Sequence, residues 1–146
     1  MAKSWVRREK QVAEAFGVSR NKTRGMNYYI TAPDTEPHEY FSIEIKERAK
    51  LPKFLDMGNN HYKILTKPKK FVDAALNQAS KYYPHKIPLA VFCEKYRKVD
   101  NSIVCIRAGD FAKYDEHLNL WNEDEVLCYR LGYFIHKYEY IWTQQS

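Results

Sequence analysis

The sequence predicts a single α/β domain in which a mixed β-sheet is flanked by helices. Two observations lead to this prediction: segments of helical period alternate with short apolar runs of strand length, and 146 residues suffice for one core. The predicted core spans residues 1–110. Residues 111–146 are rich in aromatic side chains, and we expect them to form an extension packed on the core or at a dimer interface, with base stacking as the alternative.

The first element is a helix predicted over residues 4–16. Apolar residues recur there at helical spacing, Ser4 suits the N-cap and Gly17 suits the end of the helix. Glu9 lies one turn before Ala13. The spacing leaves two interpretations open, a solvated surface acid or a group that supports an active site at the sheet.

Two strands are predicted next, over residues 28–31 and 40–46, with Pro33 and Pro37 marking the turn between them. Side chains along the second strand alternate between two faces. The apolar face, which we expect to meet the core, consists of Phe41, Ile43 and Ile45, and the polar face consists of Ser42, Glu44 and Lys46.

Asp34 lies where this turn opens, and a hairpin that folds back would bring its carboxylate close to that of Glu44. Two like charges at close range stay ionised only with a cation between them. Mg²⁺ prefers hard oxygen ligands and keeps several waters. We therefore expect Asp34, Glu44 and the Ile45 carbonyl to hold Mg²⁺, while Lys46 orients an attacking water. The alternatives are a turn-making aspartate and a solvated strand face with cross-strand charge pairs.

The remaining elements follow in order. Residues 49–67 show no clear period and are predicted to be a mobile basic loop. A helix is predicted from Pro68 until Pro84 ends it, with Gln78 and Tyr82 side by side on one flank. Apolar runs at 87–93 and 102–107 are predicted to be further strands.

Several short motifs resemble the PD-(D/E)xK nuclease superfamily, with Pro33-Asp34 as the first and Glu44-Ile45-Lys46 as the second. Within it, residues 3–110 are most similar to the short archaeal and phage Holliday junction resolvases. Further residues that carry the likeness are Trp5, Glu9, Ala13, Phe16, Gly17, Arg20, 41–48, Leu51-Pro52, Gln78-Ala79 and 88–92. Gln78 and Tyr82 also resemble a Gln-x-x-x-Tyr feature of several of these nucleases, and the alternative is a helix flank that only packs on the sheet.

The resemblance implies a restriction-endonuclease-like core and Mg²⁺-dependent hydrolysis of DNA, with Mn²⁺ as a possible substitute and branched four-way junctions as the substrate. The implied catalytic residues are Asp34, Glu44, Lys46, Glu9 and Gln78, and the implied metal ligands are Asp34, Glu44, Glu9 and the Ile45 carbonyl. Symmetric cutting of two strands needs two active sites, so a homodimer is expected. Two alternatives stay open: a restriction-like, nicking or exonucleolytic nuclease with the same site, and a catalytically silent nucleic-acid-binding module.

The sequence contains 24 basic and 18 acidic residues, which gives a net charge of +6. This excess of positive charge favours a polyanionic partner. The residues expected to contact DNA are Arg20, Arg24, Arg48, Lys50, Lys53 and Tyr82. Ordinary solvated lysines are the alternative. The sequence has no glycine-rich phosphate loop and no nucleophile-elbow serine, which argues against nucleotide hydrolysis and acyl transfer.

The three cysteines are widely spaced and contain no Cys-x-x-Cys pair, so a zinc site or disulfide framework is not expected. Cys93 and Cys105 lie in apolar runs and are predicted to be small buried hydrophobes. None of the five histidines has metal-ligand spacing, and no apolar run is long enough for a membrane span. We expect a soluble protein in the cytoplasm of a prokaryotic or phage-infected cell.

Overall fold

The computed structural model describes residues 4–21, 33–67, 69–112 and 122–143. Its helices are α1 (Ser4–Ala15), α2 (Lys70–Tyr82), α3 (Ala108–Phe111), α4 (Leu131–Tyr138) and α5 (Tyr140–Thr143). Its strands are β1 (Phe41–Arg48), β2 (Tyr62–Leu65), β3 (Ile87–Glu94), β4 (Ile103–Arg107) and β5 (Val126–Arg130). Short 3-10 helices cover Lys53–Leu55 and Val99–Asn101. No helix in the described ranges has the length and apolar character needed to cross a bilayer.

The described strands form one five-stranded sheet in the order β1-β3-β4-β5-β2. β1 and β3 run parallel, with Glu44 opposite Ala90, whereas the other neighbours are antiparallel. Helices pack on both faces of this sheet. The predicted α/β class with a mixed sheet flanked by helices is therefore confirmed.

Each face of the sheet carries its own apolar core. On one face, Val12 and Phe16 pack with the apolar residues Phe41, Ile43 and Ile45 of β1. On the other face, Val72 and Leu76 of α2 pack with Phe92 of β3. The predicted alternation of β1 is thus confirmed, but its polar face is covered: Ser42 is buried and donates a hydrogen bond to the carbonyl of Ala79 in α2.

The predicted loop at 49–67 is wrong over two stretches. Lys53–Leu55 forms a 3-10 turn that buries Leu55, and Tyr62–Leu65 forms β2. β2 is short and half exposed, and its pairing partner β5 lies far along the chain, so its sequence carries little local signal. The strand predicted at 28–31 and the predicted helix start at Pro68 lie outside the described residues, and α2 begins at Lys70.

The predicted division at residue 110 does not separate two bodies in the described chain. β5 lies inside the sheet between β4 and β2, and α4 covers the same core that α1 covers. Tyr129, Phe134 and Tyr138 are buried there, and their rings are in contact. The described part of the segment 111–146 is therefore integral to the core, because its aromatic residues fill the core instead of lying on top of it.

The three cysteines are free and buried, which confirms the prediction for Cys93 and Cys105. Burial raises the pKa of both thiols. Cys105 and Cys128 face each other across β4 and β5, with their sulfur atoms 3.6 Å apart. Their environment is apolar, so they contribute packing and not nucleophilic thiolates.

Candidate active site

A cavity of about 440 Å³ lies between the even-numbered face of β1 and helix α2. The strand period of two places Glu44, Lys46 and Arg48 on this side. A spacing of four residues places Gln78 and Tyr82 on one face of α2, where both line the same cavity. Five of the residues predicted from the sequence as catalytic or DNA-contacting therefore line one cavity.

Asp34 contacts β1 at the edge of the strand that does not pair with β3. It is fully buried, and its Oδ2 accepts a hydrogen bond from the backbone N–H of Ile45 at 2.7 Å. The N–H of Ile45 thus points away from β3, and in an extended strand the C=O of the same residue points to the same side. The Asp34 carboxylate therefore lies on the side of β1 to which the Ile45 carbonyl also points, and Glu44 is the preceding residue of the strand.

Backbone contacts hold Asp34 in this position. The N–H of Asn21 donates to the carbonyl of Asp34, and its side-chain amide donates to the carbonyl of Pro33, both at 3.1 Å. Directly after α2, the Tyr83 hydroxyl donates to the carbonyl of Thr35 at 3.0 Å. Sequence analysis missed Asn21 and Tyr83, because each acts through a backbone group whose position depends on the fold.

Glu44 is 2 % exposed, and its Oε1 lies 3.3 Å from the Nζ of Lys46. Its Oε2 is also buried and accepts no hydrogen bond from the described residues. The pKa of the Tyr82 hydroxyl is raised, first by burial, then by a hydrogen bond to Glu44 and by the negative charge of Asp34. Both carboxylates are thus near enough to one tyrosine to affect its ionisation.

Glu9 is buried, but the structure gives it a different partner from the predicted one. Its Oε2 lies 2.9 Å from the Nε of Arg20, whose guanidinium also stands over the ring of Trp5 at 5.8 Å. Glu9 does not line the cavity beside Glu44. Within the described ranges, no group of three or more His, Cys, Asp or Glu side chains is placed to hold a metal ion. Glu9 therefore forms no three-acid set with Asp34 and Glu44, because Arg20 neutralises it elsewhere.

The other predicted DNA contacts are dispersed. Arg48 lines the cavity, and its guanidinium donates to the carbonyl of Glu47 at 2.9 Å. Lys50 and Lys53 line a separate cavity of about 550 Å³, together with Arg97 and Arg130. Arg20 is ion-paired with Glu9, and Arg24 lies outside the described residues.

The donor set offered to a cation consists of hard oxygens. Carboxylates come from Asp34 and Glu44, a backbone carbonyl comes from Ile45, and the Glu44 Oε2 atom has no hydrogen-bond donor among the described residues. Mg²⁺ binds such oxygens and completes its coordination with water. These three residues therefore fit a magnesium ion without Glu9.

Comparison of the chain with protein-family models, with curated proteins and with solved structures found no match. The function of the site must therefore be argued from its own chemistry. That chemistry consists of two buried acids, a lysine beside one of them, and a cavity edged by an amide, a phenol and a guanidinium.

Proposed function

We propose that the protein is a metal-dependent nuclease that hydrolyses phosphodiester bonds in DNA. The observation that carries this proposal is the hydrogen bond from the Ile45 N–H to Asp34, because it joins the aspartate to the middle residue of Glu44-Ile45-Lys46. The bond thereby connects Asp34 to the strand segment that carries Glu44 and Lys46, so that the site contains two acids and a lysine. This set suits attack of water on a phosphate.

The metal would be held by Asp34, Glu44 and the Ile45 carbonyl. When bound, Mg²⁺ or Mn²⁺ supplies positive charge that polarises the scissile phosphate and lowers the pKa of bound water. The buried Oε2 of Glu44 supports this assignment, because a buried carboxylate oxygen without a donor is energetically unfavourable unless a cation or water meets it.

Lys46 contacts the buried Glu44 and also lines the cavity. Its Nζ lies 3.3 Å from Glu44, while its side chain is 37 % exposed. An ammonium group in this position can donate a hydrogen bond to the attacking water and stabilise the negative charge that develops on the phosphate. The Tyr82 hydroxyl lines the cavity and could donate a hydrogen bond to a phosphate oxygen, and Gln78 could do the same with its amide.

The substrate class is proposed from the resemblance to junction resolvases and from charge. Arg48 at the cavity, with Lys50 and Lys53 just beyond β1, would bind phosphates of the backbone without reading sequence. A four-way DNA junction is the substrate that the resemblance favours. Symmetric cutting of such a junction would require a homodimer.

A catalytically silent nucleic-acid-binding module is the second candidate, and one observation favours it. Lys46 gives the buried Glu44 a counter-charge within the protein, so the carboxylate does not depend on a cation for neutralisation. In that case Asp34 would serve to fix β1 through Ile45, and the charged side chains around the cavity would only bind phosphate.

Cleavage of a radiolabelled four-way junction, a linear duplex and a single strand, each with Mg²⁺ or with EDTA, tests these candidates together. Symmetric Mg²⁺-dependent nicks in the junction alone support a resolvase. Cutting of every substrate supports a nuclease of broader action, such as a restriction-like, nicking or exonucleolytic enzyme. Binding without any cutting contradicts the nuclease proposal and supports the silent module.

A further inference from the structure

A second positively charged cavity, here called the basic cleft, lies at the carboxyl end of β3. Its volume is about 680 Å³. Its lining includes Arg7, Arg8, Lys95, Tyr96, Arg97 and Lys98. None of these residues lines the cavity of the candidate active site, although Arg97 also lines the cavity that contains Lys50 and Lys53.

The charges of the basic cleft are not balanced within the described residues. Five cationic side chains line it, against the single acid Asp100. Arg8 and Arg97 have acidic partners at the rim, whereas Arg7, Lys95 and Lys98 are exposed and form no ion pair with any described residue. An unbalanced positive cleft attracts a polyanion.

The floor of the basic cleft is braced by Arg8. Its Nε lies 3.2 Å from Glu47, its Nη2 donates to the carbonyl of Glu94 at 3.3 Å, and the same nitrogen donates to the carbonyl of Arg97. These bonds connect α1 to the ends of β1 and β3 and to the turn that follows β3. The cations around the cleft are therefore held on a defined surface.

Tyr96 lies at the tip of this turn and has two unusual properties. Its side chain is fully exposed, and its φ is 67°, in the left-handed region that non-glycine residues seldom adopt. The turn is hydrogen-bonded on both sides of it, from the Lys95 N–H to the Arg48 carbonyl and from the Arg97 N–H to the Glu94 carbonyl. A glycine would satisfy this backbone better, so folding does not explain the aromatic ring.

An exposed aromatic ring beside a cationic groove is the combination that binds single-stranded nucleic acid, where phosphates follow the positive charges and bases stack on the ring. We propose that the basic cleft and Tyr96 bind single-stranded nucleic acid, with one unpaired base stacked on Tyr96. Duplex DNA fits less well because its base faces are stacked internally. This inference does not depend on the proposed nuclease activity, since the two sites share no residue.

Fluorescence anisotropy in EDTA, where no metal-dependent cleavage occurs, tests the inference. The probes are a labelled oligothymidylate, a labelled oligouridylate and an abasic oligonucleotide of equal length. We expect Tyr96→Ala to weaken binding of the base-containing probes by about 5- to 150-fold and to leave the abasic probe unchanged. Tyr96→Phe keeps the ring and should keep the affinity. Tyr140→Ala, at another exposed tyrosine, is the matched control and should change nothing.

A lysine variant tests whether the positive charge of the basic cleft contributes to binding. Lys95→Gln should weaken binding of all three oligonucleotides. The slope of log affinity against log salt concentration should also fall by about one, which corresponds to the loss of one phosphate contact. Lys81→Gln, at an exposed lysine of α2 outside the basic cleft, should cause neither change. Equal loss on abasic and base-containing probes in Tyr96→Ala, no loss at all, or equally tight binding of polyglutamate would overturn the inference. Cleavage activity, present or absent, does not alter these outcomes.

Discussion

The Asp34 carboxylate accepts a hydrogen bond from the backbone N–H of Ile45 at 2.7 Å, and this bond joins a turn residue to the centre of β1. Ile45 itself packs into the core through its side chain. The same residue therefore anchors the strand on one side and orients a buried acid on the other. The proposed chemistry depends on this link, because it attaches Asp34 to the residue that follows Glu44 in β1.

Lys46→Ala should lower the rate of DNA cleavage by at least about 100-fold, since removing a preorganised donor to developing charge has an effect of that size. Junction binding, measured in EDTA, should persist because Arg48 and the neighbouring lysines remain. Lys81→Ala, on the exposed side of α2, is the control. An unchanged cleavage rate in Lys46→Ala would remove this lysine from the mechanism.

Magnesium should stabilise the folded protein if Asp34 and Glu44 bind it. At a concentration about one hundred times the dissociation constant, the gain in unfolding free energy is roughly 2.7 kcal/mol. Thermal unfolding with and without Mg²⁺ measures this gain. Glu44→Gln should abolish it, while Glu14→Gln at an exposed acid of α1 should leave it intact. Equal stabilisation of all three proteins would show that the ion binds elsewhere.

Glu9 and Arg20 should behave as a structural pair. Arg20→Gln removes the ion pair to the buried Glu9 carboxylate, so we expect a loss of about 3 kcal/mol in unfolding free energy. Adding Glu9→Gln to that variant should recover much of the loss. Urea unfolding of the two single variants and the double variant gives the coupling energy. Additive effects would contradict the pairing and reopen a role for Glu9 at the active site.

His38 should make stability depend on pH. Burial, with a smaller contribution from the charge of Lys86, lowers the pKa of His38 from 6.5 to about 4, and its Nδ1 accepts hydrogen bonds from the N–H groups of Tyr40 and Phe41. The unfolded chain therefore takes up a proton at higher pH than the folded one. Stability contributed by neutral His38 is present above pH 6.5 and is lost as the pH falls towards 4.

The size of this loss is on the order of 3 kcal/mol. Urea unfolding across this pH range measures it. In His38→Asn, which keeps an acceptor that does not titrate, the slope between these pH values should be smaller than in the unaltered protein. His85→Asn, at an exposed histidine, should retain the slope. Identical pH profiles for all three proteins would exclude His38 as the titrating group.

Local patterns predicted much of the site because they depend on geometry within one element. Alternation in β1 was sufficient to put Glu44 and Lys46 on one face, and a spacing of four put Gln78 beside Tyr82. The sequence of β1 alone could not show that this face is covered by a helix. The covering helix is α2, which packs over Ser42 and Glu44 from elsewhere in the chain.

Non-local pairings account for the features that the sequence did not reveal. β2 forms a strand because it pairs with β5. It has only four residues, two of them exposed apolar residues, and this pattern is too weak to predict a strand. Arg20 was expected to contact DNA, yet a buried acid in α1 is its partner. Neither relationship leaves a periodic trace in the sequence, because each joins segments whose approach is set by the completed fold.

The most direct test of the proposed chemistry is single-turnover cleavage of a four-way junction by Asp34→Asn in Mg²⁺. The asparagine oxygen can still accept the hydrogen bond from Ile45, so circular dichroism and thermal unfolding should show a folded protein. Cleavage should fall by at least about 100-fold because the negative charge that binds the metal is gone. Cleavage at the rate of the unaltered protein by folded Asp34→Asn would contradict the proposed site.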